Sequence, residues 1–491
     1  MIMKTILFFD RSNLTKLYIL LTKELRGSAN VIHVAYSQHE VNLLKDAGIT
    51  DYIDYHKRFS ELVDSLSPND GLIREIDEMI IKQSKGEFSL NSSIQNDRGY
   101  TILSYPEALL LACCHYKLWK EIYDKQHVDY MYHELASQFM THIAGLLCKH
   151  QGGEFIYQTQ LTGDRPGYHF LNLDGETFEC HEIEKNYKYY TEHPEEIDIE
   201  RCKTFIEKFR SEYKVAFGNI VKPPSNKLSL FKSSLKTQFI QLIARNRYDK
   251  LKNNIDYWLL RNNIFAEKIN NLRQYKKNGI KFSLPVDGEK YFYYSFHLEP
   301  EAVVLYQGGG LYVNQVKLIE NIAASLPAGY YLYVKDHPHE FAYRKVEDYV
   351  RLMKVPNIRL IDQSIPGKSL IKNAVGVLTI VGTAGFEGLV LGKQVYGFGS
   401  SYYTATPRVS YVKNIRSLRS VIYSNMSKDY ADDQELYAYI YSYLLSLHDG
   451  FVNYFGKDRI VKSGIDENEN AKLISNGILD MIENRDSYTN L

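Results

Sequence analysis

Little in this chain invites a disulfide, a zinc ribbon or a membrane span. Its 491 residues include five Cys, at 113, 114, 148, 180 and 202. The number is odd, two are adjacent and no Cys-x-x-Cys occurs, which excludes a disulfide framework and a zinc-ribbon spacing. Reduced thiols fit a reducing compartment, so a cytoplasmic protein is expected. No apolar run approaches the ~18 residues that a spanning helix needs. The start, MIMKTILFFD, lacks the long apolar region and cleavage site of a signal peptide and reads as a first buried strand. Net charge is zero, which removes the global potential that nucleic-acid binding would call for. No glycine-rich fingerprint follows the first strand, so a dinucleotide is not expected there. Carboxylate pairs of the metal-dependent transferase kind are nearly missing, Asp198-Ile199-Glu200 being the nearest. His337 and His339 flank Pro338 without further ligands, so no metal is expected. The 41 Tyr stand beside many Asn and Lys and read as codon bias, not as a stacking surface.

What is present is an alternation of strands and helices, in a chain long enough for two main domains. Apolar runs at 4–9, 31–36, 52–55, 128–132 and 155–158 alternate with helical patterns at 14–25, 37–47, 58–82 and 105–125. A stretch over 91–100 reads as extended, a helix is expected to begin near Glu134, and 171–200 reads as acidic and irregular. The alternation returns at 291–296, 330–334, 358–361, 377–381 and 394–398. The fold class expected is α/β, with two Rossmann-like domains facing a cleft and a helical basic connecting segment. Residues 1–220 are expected to form a first Rossmann-like domain, 221–285 the connection, 286–465 a second Rossmann-like domain, and 466–491 a helix that can return to the first domain. Residues 226–281 hold thirteen Lys or Arg against three acidic residues. They read either as a linker helix with solvated charges or as a surface for anionic lipid or an acidic glycan.

Two motifs carry the chemistry. Gly382-Thr383-Ala384-Gly385-Phe386-Glu387 lies where a strand gives way to a helix, so its amides and dipole favour an anion. The Thr383 hydroxyl can donate to a phosphate, and Glu387 can accept from ribose hydroxyls. Lys335-Asp336-His337-Pro338 follows another strand, and ligands of open α/β sheets bind beyond such strand ends. Pro338 biases His337 away from helix, which leaves its imidazole free to donate to a leaving phosphate. His297 and Glu301 sit near the domain's first strand, and Gly309 in a Gly308-Gly309-Gly310 loop beyond it. On the acceptor side the candidates are Asp97-Arg98, Glu134 and Asp164-Arg165, because a transferase needs a carboxylate as base or nucleophile. Each of these turns and charges also has a plain structural reading, as a helix entry, a cap or a solvated charge.

Phe296-His297-Leu298-Glu299-Pro300-Glu301, Gly309-Gly310, Asn314-Gln315, KDHP and VGTAGFEGLVLGKQVYGFG resemble bacterial capsule polysaccharide biosynthesis proteins. That group is related to β-Kdo transferases with two Rossmann domains of the GT-B kind. The resemblance covers about 285–410 well and extends weakly to Asp97-Arg98 and Glu134. It implies a metal-independent glycosyltransferase with no cofactor, using a nucleotide-sugar donor such as a CMP-activated ulosonic acid, for instance Kdo. The acceptor would be a glycan or lipid-linked glycan at the inner membrane. Lys335, His337, Thr383 and Glu387 would be donor-side. Gly388, Gln394 and Leu298-Glu299 depart from the forms expected of the family. UDP- or GDP-sugar transfer, sugar-nucleotide epimerisation and a non-catalytic role in capsule assembly remain as alternatives.

Overall fold

The protein is described from a computed structural model. It describes residues 3–165, 168–174, 177–211, 265–299, 303–337, 341–342, 344–426, 428, 430–452 and 464–485. Glu301, Pro338 and the basic residues 226–264 therefore lie outside the described residues.

The first half opens with β1 (Lys4–Asp10), α1 (Leu14–Glu24), β2 (Ala29–Ala35), α2 (Gln38–Asp46) and β3 (Ile53–Asp54). It continues through α3 (Tyr55–Ser65), α4 (Asp70–Gln83), α5 (Leu90–Gln95), α6 (Tyr105–Lys125), β4 (Tyr130–Glu134), α7 (Phe139–His150), β5 (Glu154–Gln160) and β6 (Phe170–Asp174). The strands pair in the order β3-β2-β1-β4-β5-β6, parallel except for the last. Ile6 to Phe9 of β1 are all fully buried, as a central parallel strand covered on both faces requires.

Three readings of this half need correction. Residues 91–100 are not extended: the Ser89 side chain accepts from Ser92 N while Ser92 Oγ accepts from Ser89 N, and this reciprocal cap starts α5. The pattern over 58–82 is two helices, because Asn69 caps a new one after Pro68. Glu134 ends a strand, and the next helix is capped by Gln138.

Helices α8 (His181–Glu192) and α9 (Ile199–Ser211) follow, where acidic irregular chain was expected. They pack on the second half: Arg210 donates to Asp432 and to Val390 O, and Phe209 meets the Phe386 ring edge-on at 5.6 Å. After α10 (Phe265–Lys277) comes a second sheet with β7 (Tyr291–Ser295), α11 (Gln315–Ser325), β8 (Tyr331–Lys335), α12 (Val346–Met353), β9 (Ile358–Ile361), α13 (Gly367–Asn373), β10 (Gly376–Thr379), α14 (Thr383–Val390), β11 (Gln394–Gly397) and β12 (Val409–Tyr411). Its order is β12-β11-β10-β7-β8-β9, parallel throughout.

Counted from the first strand of each half, both sheets have the doubly wound order 3-2-1-4-5-6. Their switch points lie between β1 and β4 and between β7 and β10. The chain ends with α15 (Leu418–Asn425), α16 (Gln434–Leu445) and α17 (Glu467–Arg485). Ile474, Ile478 and Met481 of α17 share a core with Leu14, Leu17 and Leu21 of α1, so the last helix lies on the first sheet's layer. The halves meet where the π-helical turn Val303–Gln307 leaves the second sheet: Tyr306 lies against His142 and Phe88, with centroids 5.0 and 6.0 Å apart.

Candidate functional site

At the second switch point, His297 follows β7 and is 8 % exposed. Its backbone N–H donates to Gln315 Oε1 at 2.9 Å, and Gln315 Nε2 returns a bond to His297 O at 3.1 Å. Its Nε2 accepts the Ile380 N–H at 3.1 Å, from the chain leaving β10. Burial pushes the imidazole pKa down to about 3, and the neighbouring His337 and Arg344 add to the shift. His297 is therefore a neutral ring, and because Nε2 accepts, the proton resides on Nδ1. That edge lies against Gly382: a Cβ there would stand 2.5 Å from His297 Cε1 and 3.0 Å from Nδ1. Only glycine lets the turn come so close.

Gly382 caps α14, its own N–H held by Thr379 Oγ1 at 3.0 Å and its carbonyl by the Tyr403 hydroxyl at 2.9 Å. Thr383, the first residue of the helix, is exposed, Ala384 is half-buried, and Gly385 is buried against the Tyr403 ring. Glu387 is half-buried on the next turn, and no hydrogen bond of its carboxylate is seen among the described residues. Burial raises its pKa to about 7 against the opposing charge of Lys368. An anion at this helix end would meet the amides, Thr383 and the Nδ1 side of His297.

Behind the crevice lies a buried ion network. Arg344 is 4 % exposed and donates to Glu299 Oε2 at 3.0 Å. It also reaches Asp336 Oδ1 and His297 O, each at 3.5 Å, and lies 3.8 Å from the Phe296 ring centroid. Asp336 further accepts from His337 N at 3.0 Å and from the Tyr349 hydroxyl. Of the described residues of KDHP, then, Lys335 and Asp336 are buried and His337 is half-exposed at the strand end. Burial lowers the Lys335 pKa, with Asp336 and Asp362 opposing. Glu299 and Arg344 thus fix both histidines, a role for which Arg344 gave no sequence signal. Gly309 faces the first half, with φ +62° and a Cβ there 3.8 Å from Glu87, while its neighbour Gly308 lies against Ile380 at the β10 exit.

At the first switch point, Glu134 ends β4 and is half-buried, with no side-chain hydrogen bond among the described residues. Burial raises its pKa, opposed by Arg11 and Arg98. The charge of Arg98 also acts on Tyr306 of the second half. Asp97 is a different matter. It is 3 % exposed, and its two oxygens accept from Gly99 N and Phe139 N, both at 2.6 Å. The acceptor-side base expected there is instead an anchor for the start of α7. Asp164 and Arg165 are likewise occupied, by Arg201 at 2.5 Å and by Asp449 at 2.9 Å. Among the described residues no group of three or more His, Cys, Asp or Glu could hold a metal ion. No helix among them is long and apolar enough to cross a membrane.

Two doubly wound sheets, each with its polar groups at the switch point, define a protein of the two-Rossmann architecture. Residues 288–426, the second sheet and its crevice, match the family model of capsule polysaccharide biosynthesis proteins. No curated protein matches the chain. Among solved structures it is similar to the UDP-GlcNAc 2-epimerase from Neisseria meningitidis, at 12 % identity over 98 % of this chain and all of that one, with a TM-score of 0.29. It is also similar to KpsC of Thermosulfurimonas dismutans. The β-Kdo 2,7 transferase aligns at 12 % identity over 73 % of this chain and 89 % of that one, with a TM-score of 0.32. The β-Kdo 2,4 transferase aligns at 14 % over 64 % and 79 %, with a TM-score of 0.29. Superpositions that loose transfer neither ligand nor activity.

Proposed function

We propose that the protein is a glycosyltransferase of capsule or surface-polysaccharide synthesis. The observation that carries this is the neutral His297, hydrogen-bonded across the β7 and β10 exits and seated against Gly382 at the start of α14. It forms one side of an anion cradle whose other side is the helix amides and Thr383. A sugar nucleotide would place its phosphate there and its ribose toward Glu387. His337, at the next strand end, would donate to the phosphate as the nucleotide leaves. The acceptor would lie against the first sheet, where Glu134 either takes the proton of the attacking hydroxyl or attacks the sugar itself. The donor would be a CMP-linked ulosonic acid such as Kdo, taken without a metal or other cofactor. The acceptor would be a glycan or lipid-linked glycan at the cytoplasmic face of the inner membrane, with the basic segment 226–281 toward anionic lipid.

A nucleotide panel read by thermal shift tests the donor. CMP and CTP should raise the melting temperature, increasingly with the logarithm of their concentration above Kd, and UDP and GDP should not. Stabilisation by UDP alone would move the reading to a UDP-sugar enzyme. Product formed from CMP-Kdo and a cell-derived acceptor, and abolished by His337→Ala, would exclude a non-catalytic assembly role. Vesicle binding that needs anionic lipid and falls with salt would support the membrane reading.

A further inference from the structure

The first switch point contains a cation that the sequence did not single out. Arg11 follows β1 directly. The β1–β4 register pairs Phe8 with Tyr132, and two steps further it sets Asp10 level with Glu134. Arg11 is then one residue past that level, in the chain leaving the strand next to that of Glu134. Its guanidinium is held in place: Nη2 donates to Gln138 Oε1 at 2.6 Å, and its carbon lies 5.3 Å from the Tyr36 ring centroid and 5.9 Å from that of Phe9. Gln138 precedes Phe139, whose N–H is fixed by Asp97, so the mount of Arg11 is tied to the Asp97-Arg98 turn. Of the five donors of a guanidinium, the bond to Gln138 uses one. No ion pair within 4 Å joins Arg11 to Glu134, so the guanidinium acts on the carboxylate through its field and keeps its bond to Gln138.

We infer that Arg11 is a positioning residue that holds Glu134 as a carboxylate at the acceptor crevice. The inference rests on the reading of Glu134 as the acceptor-side carboxylate. As base or as nucleophile, that group must be ionised. Burial works against it, and Arg11 is the first of the two cations that oppose burial, Arg98 being the second. The other groups facing this corner are Tyr18 from α1, Asp10 from β1 with its partner His33 from β2, Tyr36 after β2, Glu40 from α2, Tyr55 from α3, His115 from α6, and Tyr132 and His133 from β4. His133 is kept neutral by burial, with its pKa near 3, and Arg11 lowers it further. No second cation is supplied by β4.

Two measurements test this on the full chain. In the first, glutamate side-chain carboxyls are labelled with 13C, the Glu134 signal is assigned by its loss in Glu134→Gln, and its titration is followed. Glu134 should titrate at higher pH in Arg11→Met than in the wild type, with Arg11→Lys restoring most of the difference. Equal midpoints in the wild type and Arg11→Met would overturn the inference. In the second, kcat/KM is followed with pH for the same variants. Arg11→Met should lose activity on the acid side, shift that limb upward and leave the donor KM unchanged, and Arg11→Lys should rescue it. Uniform loss at every pH, unrescued by Lys, would mark Arg11 as merely structural and overturn the inference. Should Arg11→Met not fold, the Arg11→Lys comparison decides, because a lysine cannot reproduce the planar bond to Gln138 but keeps the charge. A wild type that binds nucleotide and transfers nothing would sink the transferase reading, while the NMR titration would still judge Arg11.

Discussion

The two switch points of this molecule have the same topology and opposite construction. In the second sheet, the exits of β7 and β10 are hydrogen-bonded to each other through His297, and a glycine turn closes on the ring. Its charges are paired behind the crevice, Arg344 with Glu299 and Asp336. In the first sheet, Glu134 faces two arginines without a direct bond to Arg11. One crevice is closed by fixed dipoles, and in the other a half-buried carboxylate stands in the field of two arginines. Fixed dipoles suit a substrate whose phosphate is always the same. A carboxylate so placed can take part in proton or bond exchange.

Acid should separate the two halves most strongly. Burial pushes His115, His133, His142 and His297 down to about 3. Each must gain a proton on unfolding once the pH falls below ~6.5, so each removes ~1.4 kcal/mol of stability per pH unit between there and about 3. Three of the four belong to the first half, on α6, β4 and α7. Urea unfolding at decreasing pH should show the first half failing earlier, and His142→Leu should flatten the slope. A pH-independent midpoint from 7 to about 4 would contradict this.

Next in size is Arg344→Met, which breaks the second crevice alone. It leaves Glu299 and Asp336 buried without their cation, at a cost of about 3–5 kcal/mol. Urea denaturation should show that loss at neutral pH, together with loss of the nucleotide thermal shift. A stable variant that still binds nucleotide would mean the network does not hold His297 and His337.

The contrast between the crevices also explains what the sequence could convey. The second site was legible because its parts are local: strand, glycine turn and helix are contiguous from Val377 to Val390, and His337 follows its strand directly. Most strands of both sheets were legible for the same reason, since a buried parallel strand writes itself as a short apolar run. The α5 helix was missed because its start depends on a reciprocal Ser89–Ser92 cap inside a polar stretch. The antiparallel edge strand β6 was missed because its pairing with β5 is not a local property. Arg11, Arg344 and the closed state of Asp97 were not legible at all. Each depends on at least one partner 8 to 127 residues away.

Gly382→Ala should be smaller but more selective. The added carbon would lie 2.5 Å from the His297 ring and 3.1 Å from Thr379 Oγ1, so the ring or the turn must move, at ~1–3 kcal/mol. The larger effect is on binding: the nucleotide shift should fall well before stability does. The corresponding change at Gly310 strikes the junction instead, where a Cβ would meet Asn96 at 2.4 Å with φ at +67°. It should weaken the contact between the halves and leave the nucleotide shift nearly intact.

The smallest expected effect is at Glu387, the carboxylate of the second crevice that most resembles Glu134. Burial raises its pKa from the ordinary 4.5 to about 7. The folded protein therefore binds a proton that the unfolded chain releases between those values, and stability falls as pH rises through that window. Glu387→Gln removes the proton and with it the slope. The variant should match the wild type below about pH 4.5, gain on it up to about pH 7, and hold a constant advantage of ~1–2 kcal/mol above. That is less than full linkage would give, because part of the carboxylate meets water. Nucleotide binding should move the other way, since an amide accepts ribose hydroxyls less well than a carboxylate does. A variant more stable at neutral pH yet weaker for nucleotide would show burial retained against stability for the sake of the ligand. Equal nucleotide affinity in both forms would instead leave Glu387 a buried acid of the helix with no part in binding.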